Sequence, residues 1–224
     1  MRGNLKVLGL ALIAAMAMSA VVAAAAQAES PTLVLTGSAS GTVKGSSNDN
    51  VFTVQGGNVK CVENSGVKGA RFEGTVTAEK STEVKIKAAY GNGSKGCTAF
   101  GVAATVNMKS CEYVFKSVKG SNPATATVNV ACSVAGDAIT VTASALPCTV
   151  TVGPQTGLAH VVFKNSNTAE PTDVNVEITV SSIAYTASGV GCPKPGSFAD
   201  GNYAGSVTLE GFNTAGTKVG LHAI

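Results

Sequence analysis

The sequence has no tryptophan and few other aromatic residues, with 4 tyrosines and 7 phenylalanines in 224 residues. Most of these rings lie in segments with the alternating pattern of β-strands, where a modest hydrophobic core needs them. A platform of exposed rings on which sugars stack is therefore disfavoured. One irregular stretch, Cys192 to Tyr203, does carry aromatic residues. It is a candidate contact surface, although a plain long loop is the simpler interpretation.

Histidine is also scarce, which limits the catalytic chemistry open to the chain. Besides His222, the sequence contains only His160, which lies in the apolar segment LAHVVF. A Ser-His-Asp arrangement needs a base that a carboxylate orients beside an activated hydroxyl, but no G-x-S-x-G motif surrounds a serine. We therefore expect His160 to be a packed strand residue with a hydrogen-bond partner, and we expect no enzyme activity.

Grouped carboxylates and metal-binding motifs are missing as well. Asp173, Glu177, Asp200 and Glu210 are candidates for a catalytic carboxylate pair, but the first two alternate with apolar positions as solvated strand residues do. The segment SSNDN at 46–50 lacks the D-x-D-x-D-G spacing of a calcium loop, and an Asx-type turn explains it better. The sequence predicts no catalytic residue, no cofactor and no metal site.

Charge is neither strong nor clustered. The chain has 16 basic and 13 acidic residues, and without Arg2 and Lys6, which we expect to be removed, 16 − 2 = 14 basic residues remain. Nucleic acids and acidic membranes attract clusters of Lys and Arg, whereas Lys85 and Lys87 simply alternate with apolar residues. We predict no nucleic-acid partner and no membrane partner for the mature chain, which leaves a cell-envelope component or another protein as candidate partners.

Only one long apolar run is present, and it lies at the N-terminal end of the sequence. Two basic residues precede the run from Val7 to Ala26, which leads into the small-x-small cleavage pattern Ala26-Gln27-Ala28. This pattern predicts a signal peptide over residues 1–28, with cleavage before Glu29. An uncleaved anchor is the alternative, because about 20 apolar residues can span a bilayer. The mature protein is expected to be secreted.

The remaining chain is dominated by the two-residue alternation of β-strands. Residues 83–90, EVKIKAAY, and residues 173–180, DVNVEITV, each place apolar side chains on one face and polar ones on the other. After Val180 the apolar residues move from even-numbered to odd-numbered positions. A bulge at Ser181-Ser182 would keep them on the same face of the strand. Three glycine-containing pairs are predicted turns: Gly56-Gly57, Asn92-Gly93 and Asp200-Gly201. These patterns predict an all-β chain.

The 6 cysteines have the arrangement of a disulfide framework. No two are close enough for the C-x-x-C motif of a zinc or redox site, and an even number in an exported chain favours disulfides. Cys111 and Cys132 lie on corresponding faces of two strands that would reverse symmetrically about Ser121-Asn122. This reversal places the two cysteines opposite each other, as a disulfide between neighbouring strands requires.

A weak internal repeat predicts the other two pairs. FTV at 52–54 precedes Cys61 by the same spacing as ITV at 139–141 precedes Cys148, and Gly-Cys occurs again at Cys97 and Cys192. A duplicated chain would pair Cys61 with Cys97 and Cys148 with Cys192. Coincidence of patterning in Thr/Val-rich sequence is the alternative.

These features predict two tandem antiparallel β-sandwich modules of immunoglobulin-like type. The first module would span residues 31–135 and the second residues 136–224, each with its own disulfide between corresponding cysteines. A single pseudo-symmetric sandwich or barrel is the alternative arrangement.

The stretch GCTAFGVAATVNMKSCEYVF, with FTVQGGNVKC before it and CTVTVGPQTGL after it, resembles a group of proteins from soil actinobacteria. These are exported, cysteine-paired, Thr/Gly-rich β proteins without an assigned activity. The likeness covers most of residues 50–210 and is most specific from Gly96 to Cys111. It implies export and β structure, and it transfers no catalytic residue.

The expected function is that of a secreted, non-catalytic β protein with a structural or adhesive/binding role outside the cell. The alternative is a secreted hydrolase that uses His160. The sequence identifies no ligand for the first function and no substrate for the second.

Overall fold

The structure, a computed structural model, describes residues 33–62, 69–77, 83–92, 96–119, 122–166 and 171–223. The described residues form β-strands, turns and bends, which confirms the predicted all-β fold. No helix in these ranges is long and apolar enough to cross a membrane. The predicted signal peptide and Gly93 of the predicted Asn92-Gly93 turn lie outside the described residues.

The strands, in chain order, are β1 Val34–Leu35, β2 Ser40–Ser47, β3 Asp49–Val54, β4 Gly57–Val62, β5 Ala70–Thr77, β6 Glu83–Tyr90, β7 Cys97–Ala99, β8 Val102–Asn107, β9 Cys111–Lys119, β10 Ala124–Cys132, β11 Ile139–Ala143, β12 Thr149–Val152, β13 Gln155–Asn165, β14 Asp173–Ser188, β15 Gly196–Asn213, β16 Lys218–Val219 and β17 Leu221–His222.

Antiparallel hydrogen bonds join these strands into two closed circuits that share the long hairpin β14–β15. The first circuit runs β15-β2-β5-β6-β9-β10-β13-β14, and the second runs β15-β3-β4-β7-β8-β11-β12-β14. The β14–β15 pairing closes both. The two strands are long enough for this because they contain 16 and 18 residues. One part of β15 pairs with β2 and another with β3.

Strand pairing crosses the predicted module boundary between residues 135 and 136. Strand β8 pairs with β11, β10 with β13, and both β2 and β3 with β15. Buried apolar residues from both sides of the boundary form one continuous core. The segments 31–135 and 136–224 therefore contribute to one sheet and one core, an arrangement compatible with a pseudo-symmetric sandwich.

The pairing order of residues 40–119 recurs in residues 124–213. In the first segment β2 pairs with β5, β5 with β6 and β6 with β9. In the second segment β10 pairs with β13, β13 with β14 and β14 with β15. The hairpins β3–β4 and β11–β12 also correspond. Each circuit therefore takes half of its strands from each segment.

The predicted strand faces are confirmed. Val84 and Ile86 are buried while Lys85 and Lys87 are exposed, and the apolar residues of 173–180 face inward in the same way. The predicted bulge is also present, because Val180 and Ile183 are both buried and Ser182 has a positive φ of 60°. The register of β14 against β15 shifts at this point.

All three predicted disulfides are present: Cys61–Cys97, Cys111–Cys132 and Cys148–Cys192. Strands β9 and β10 pair with Cys132 opposite Cys111 and Val130 opposite Tyr113, which is the symmetric reversal expected from the sequence. Three intramolecular disulfides indicate an oxidising compartment, because cytosolic reductants keep such thiols reduced.

Two turn predictions need correction. Val54 pairs with Gly57, so the centre of the first turn is Gln55 and Gly56, one residue earlier than predicted. The turn predicted at Asp200-Gly201 was wrong, because both residues lie within β15. A Cβ on Gly201 would lie 2.9 Å from a ring carbon of Phe52. This glycine therefore makes room for a packed ring and does not reverse the chain.

We expect that replacing Cys111 and Cys132 together by alanine lowers the free energy of unfolding by about 3 kcal/mol, because the unfolded chain regains the entropy of an open loop. Urea unfolding monitored by circular dichroism measures the change. The control is Val134→Ser at a position 56% exposed, where we expect a change within about 0.5 kcal/mol. Equal stability of the double variant and the parent protein would contradict a stabilising role for this disulfide.

Candidate functional site

The inward faces of the two circuits surround a cavity of about 110 Å³. Its wall includes Phe52, Val106, Tyr113, Ile178 and Tyr203, which come from both circuits. Protein interiors contain few voids larger than a water molecule. A cavity lowers the free energy of unfolding by about 24 cal/mol per Å³, so a void of this size costs about 2.6 kcal/mol. The chain thus retains an interior space that its own side chains do not fill.

A glycine in β15 lies beside the polar part of the cavity wall. Gly205 lies on the inward face of the strand, between Tyr203 and the buried Val207. A Cβ at Gly205 would lie 3.0 Å from Asn50 Oδ1 and 3.2 Å from Tyr203 Oη. On the neighbouring strand its partner Ile178 faces inward but is only partly buried. The absence of a side chain at Gly205 therefore makes room for the Asn50 amide and the Tyr203 hydroxyl.

Asn50 fixes one end of that polar wall. Its side chain is 3% exposed, and its Nδ2 donates hydrogen bonds to Ser47 Oγ at 3.0 Å and to the Cys61 carbonyl oxygen at 3.3 Å. These two bonds orient the amide so that Oδ1 accepts a hydrogen bond from Tyr203 Oη at 2.7 Å. The three hydrogen bonds therefore fix the orientation of this buried amide group.

Three tyrosine hydroxyls continue the network from Asn50. Tyr90 Oη lies 3.4 Å from Tyr203 Oη and 2.9 Å from Tyr113 Oη. A hydroxyl has one proton to donate, and the proton of Tyr203 is used on Asn50. Either hydroxyl could be the donor in the contacts of Tyr90 with Tyr113 and with Tyr203. Whichever of the two donates, Tyr113 Oη keeps at least one lone pair that can accept a further hydrogen bond.

Burial keeps these hydroxyls protonated. It raises the pKa of Tyr113 from 10.0 to about 12, against a smaller lowering by the hydrogen bond with Tyr90. Burial also raises the pKa of Tyr203 and, with the nearby Tyr113 and Tyr203 adding to the effect, raises the pKa of Tyr90 well above 10.0. The polar wall is therefore uncharged at physiological pH.

A second cluster surrounds the buried Tyr185 of β14 and includes Lys194, Phe198 and Asp200 from the stretch singled out as a candidate contact surface. Tyr185 Oη accepts a hydrogen bond from the Gln55 backbone N–H at 2.6 Å and donates one to Asp200 Oδ1 at 3.4 Å. Gln55 Nε2 also donates to Asp200 Oδ2. Lys194 Nζ lies 3.2 Å from Gln55 Oε1 and 5.5 Å from the centre of the Phe198 ring. These contacts hold the β3–β4 turn against β15.

The expectation that His160 is packed in the core was wrong. Its side chain is exposed and its backbone has a positive φ of 73°. Leu158 and Val161 both face inward, so Ala159 and His160 form a bulge between them. The buried apolar residues change here from an even-numbered to an odd-numbered position, as they do at the bulge at Ser181-Ser182. No described serine or aspartate is hydrogen-bonded to the His160 ring.

The candidate carboxylates lie apart from the cavity. Asp173 pairs with Glu210 in the β14–β15 register, on the opposite face from the buried Val174 and Leu209. The carboxylate of Glu210 lies 2.6 Å from Lys218 Nζ, and that of Glu177 lies 2.6 Å from Lys164 Nζ. Each thus has a neighbouring partner on the outer surface.

The oxygen-rich segment 46–50 contains the bend at Asn48 between β2 and β3. Ser47 Oγ accepts a hydrogen bond from the Asp49 backbone N–H at 3.3 Å, which is a serine version of the Asx-type turn expected there. Among the described residues, no group of three or more His, Cys, Asp or Glu side chains could hold a metal ion.

Comparisons with protein-family models, with curated proteins and with solved structures found no match.

The sequence indicated the alternating faces of strands that line the cavity, such as 83–90 and 173–180, but not the convergence of the polar wall. Tyr90, Tyr113, Tyr203 and Asn50 come from four different strands. No local spacing connects them. The alternation of inward and outward positions along each strand was the only available signal. It does not show which side chains from other strands lie nearby.

We predict that the tyrosines of the folded protein ionise at a higher pH than those of the unfolded chain, because all 4 tyrosines have a raised pKa. Ultraviolet absorbance of phenolate measures this, with urea-unfolded protein as the control. The unfolded chain releases these protons near pH 10 while the native state retains them, so stability is constant below about pH 10 and falls as pH rises towards 12. Titration of three or more tyrosines near pH 10 in the folded protein would contradict the burial.

Asn50→Ala should lower the free energy of unfolding by about 2–4 kcal/mol, because it leaves the Tyr203 hydroxyl and the Cys61 carbonyl without their buried partner. Asn48→Ala, at an exposed position in the same bend, is the matched control and should change stability by less than about 0.5 kcal/mol. Urea unfolding compares the two variants. Equal effects would show that the Asn50 network does not stabilise the fold.

Proposed function

We propose that the protein is an exported, non-catalytic β protein with a structural or adhesive/binding role outside the cell. The observation that carries this proposal is the set of three disulfides, which uses all 6 cysteines. Five of these cysteines are buried and the sixth is partly buried. Such covalent links stabilise small secreted domains, and the predicted signal peptide supports export.

The distribution of charge supports a role without catalysis. Charged side chains form pairs on the outer surface, for example Lys44 with Glu73 at 3.7 Å and Lys116 with Glu83 at 3.3 Å. The cavity, in contrast, is lined by apolar side chains and by the uncharged groups of the tyrosine network. A general acid or base for catalysis normally sits in a cleft where its pKa is adjusted.

The alternative, a secreted hydrolase that uses His160, has less support. A base for an activated serine needs a hydroxyl and an orienting carboxylate within hydrogen-bond distance. The exposed bulge that carries His160 supplies neither from the described residues. The cavity wall does not include this histidine.

We also infer an internal duplication of residues 40–119 and 124–213. The equivalent pairing of strands in both segments supports it, as do the disulfides Cys61–Cys97 and Cys148–Cys192 in corresponding positions. The immunoglobulin-like description, the group of actinobacterial proteins and the partner in the cell envelope stay predictions.

Intact-mass analysis of the protein after secretion from an actinobacterial host tests export and oxidation together. The expected species begins at Glu29 and gains six hydrogens on reduction, one for each of the 6 cysteines. A species that retains residues 1–28, or that carries free thiols before reduction, would contradict the proposal.

A screen with esterase, glycosidase and peptidase substrates tests the lack of catalysis. We expect no turnover by the secreted protein and no difference between it and the variants His160→Ala and His222→Ala. Turnover that His160→Ala abolishes and His222→Ala retains would favour the hydrolase. The second variant controls for a general effect of removing a histidine.

A further inference from the structure

We propose that the interior cavity binds a small, uncharged, largely apolar molecule that carries one hydrogen-bond donor, and that Tyr113 Oη accepts its hydrogen bond. A monocyclic alcohol or phenol belongs to this chemical class. The inference goes beyond the proposed function, because neither a structural nor an adhesive role requires an interior site.

The size and surface of the cavity determine the size and polarity of the ligand. An apolar cavity of about 150 Å³ in another protein stays dry and takes up benzene, so a cavity of about 110 Å³ suits a molecule with one small ring or a short branched chain. The wall consists mainly of Val, Ile, Leu and Phe side chains. A ligand that fills this space recovers dispersion contacts that the empty cavity lacks.

The wall also excludes a charged ligand. Its polar side chains among the described residues are the amide of Asn50 and the hydroxyls of Tyr90, Tyr113 and Tyr203, and none of these carries a charge at neutral pH. Moving an ion into such surroundings without a paired charge is strongly unfavourable. The ligand is therefore neutral.

The hydrogen-bond network leaves Tyr113 Oη able to accept, whichever way its bond with Tyr90 points. The proton of Tyr203 is used on Asn50 Oδ1. Both protons of the Asn50 amide are also used, on Ser47 and Cys61. A ligand hydroxyl can therefore donate to a free lone pair of Tyr113 Oη.

The position of the free acceptor relative to the open space supports the same geometry. Tyr113 faces inward between Ile86 of β6 and Val130 of β10, with which it pairs. All three residues line the cavity. The apolar part of a ligand would pack on the aliphatic wall while its hydroxyl points towards the tyrosine network.

Phenol and toluene form a matched pair of probes, because they have similar size and only phenol has a donor. We expect both to bind to the mature, disulfide-bonded protein in titration calorimetry, with phenol about threefold to tenfold tighter, the contribution of one neutral hydrogen bond. Benzoate, a charged ring of comparable size, should not bind. Chemical shifts of the Ile178 methyl groups should move with either neutral probe.

Two variants locate the site. Tyr113→Phe removes the acceptor and should abolish the preference for phenol while it retains toluene binding. Ile178→Phe places a larger side chain in part of the cavity. It should weaken the binding of both probes at least about tenfold, because less volume remains for them. Tyr185→Phe, which alters a tyrosine outside the cavity wall, is the matched control and should bind both probes as the parent protein does.

Failure of both neutral probes to bind the folded parent protein would contradict the proposed binding site. Equal affinity for phenol and toluene would overturn recognition of the donor by Tyr113. Undiminished binding by a folded Ile178→Phe variant would place the probes elsewhere and overturn the assignment to this cavity. If Tyr113→Phe does not fold, the phenol-to-toluene ratio of the parent protein and the response of the Ile178 methyl groups decide the question.

Discussion

Both circuits of the sheet depend on the pairing of β14 with β15, because this hairpin closes each of them. A β-strand with an unpaired edge exposes backbone donors and acceptors that need partners. The long hairpin provides those partners for β13 and β12 on one side and for β2 and β3 on the other. Closure then assigns one face of each strand to a common interior. The two-residue burial pattern along the chain follows from that assignment.

The size of the interior is a consequence of closure. The number of strands in a circuit and their pairing set the space that inward side chains must fill, and this chain supplies mostly Val, Ala and Gly for the purpose. At Gly41 and Gly45 the backbone of β2 approaches β15 so closely that a Cβ would meet its carbonyl oxygens. At Gly205 the absence of a side chain makes room for the Asn50 amide and the Tyr203 hydroxyl, which belong to the polar part of the cavity wall.

The cost of this interior is offset elsewhere in the molecule. Disulfides limit the entropy of the unfolded chain, and exposed ion pairs contribute little because water screens them. A chain with a weakly filled core therefore relies on its covalent links and its continuous backbone pairing. This balance is consistent with the proposed role outside the cell, where oxidised cysteines persist, and it permits an interior that is available to a ligand.

The sequence by itself determined the features that depend on neighbouring residues. Alternation gave the inward faces of 83–90 and 173–180, a change of parity gave the bulge at Ser181-Ser182, and symmetric spacing gave the partner of Cys111. Tertiary structure decided the rest. Gly201 pairs with Ile183 within a strand and lies against the Phe52 ring, and Asn50, Tyr90, Tyr113 and Tyr203 meet because closure brings four distant strands together. The physical reason is that side-chain alternation is a property of a single strand, whereas convergence depends on the register between strands far apart in the chain.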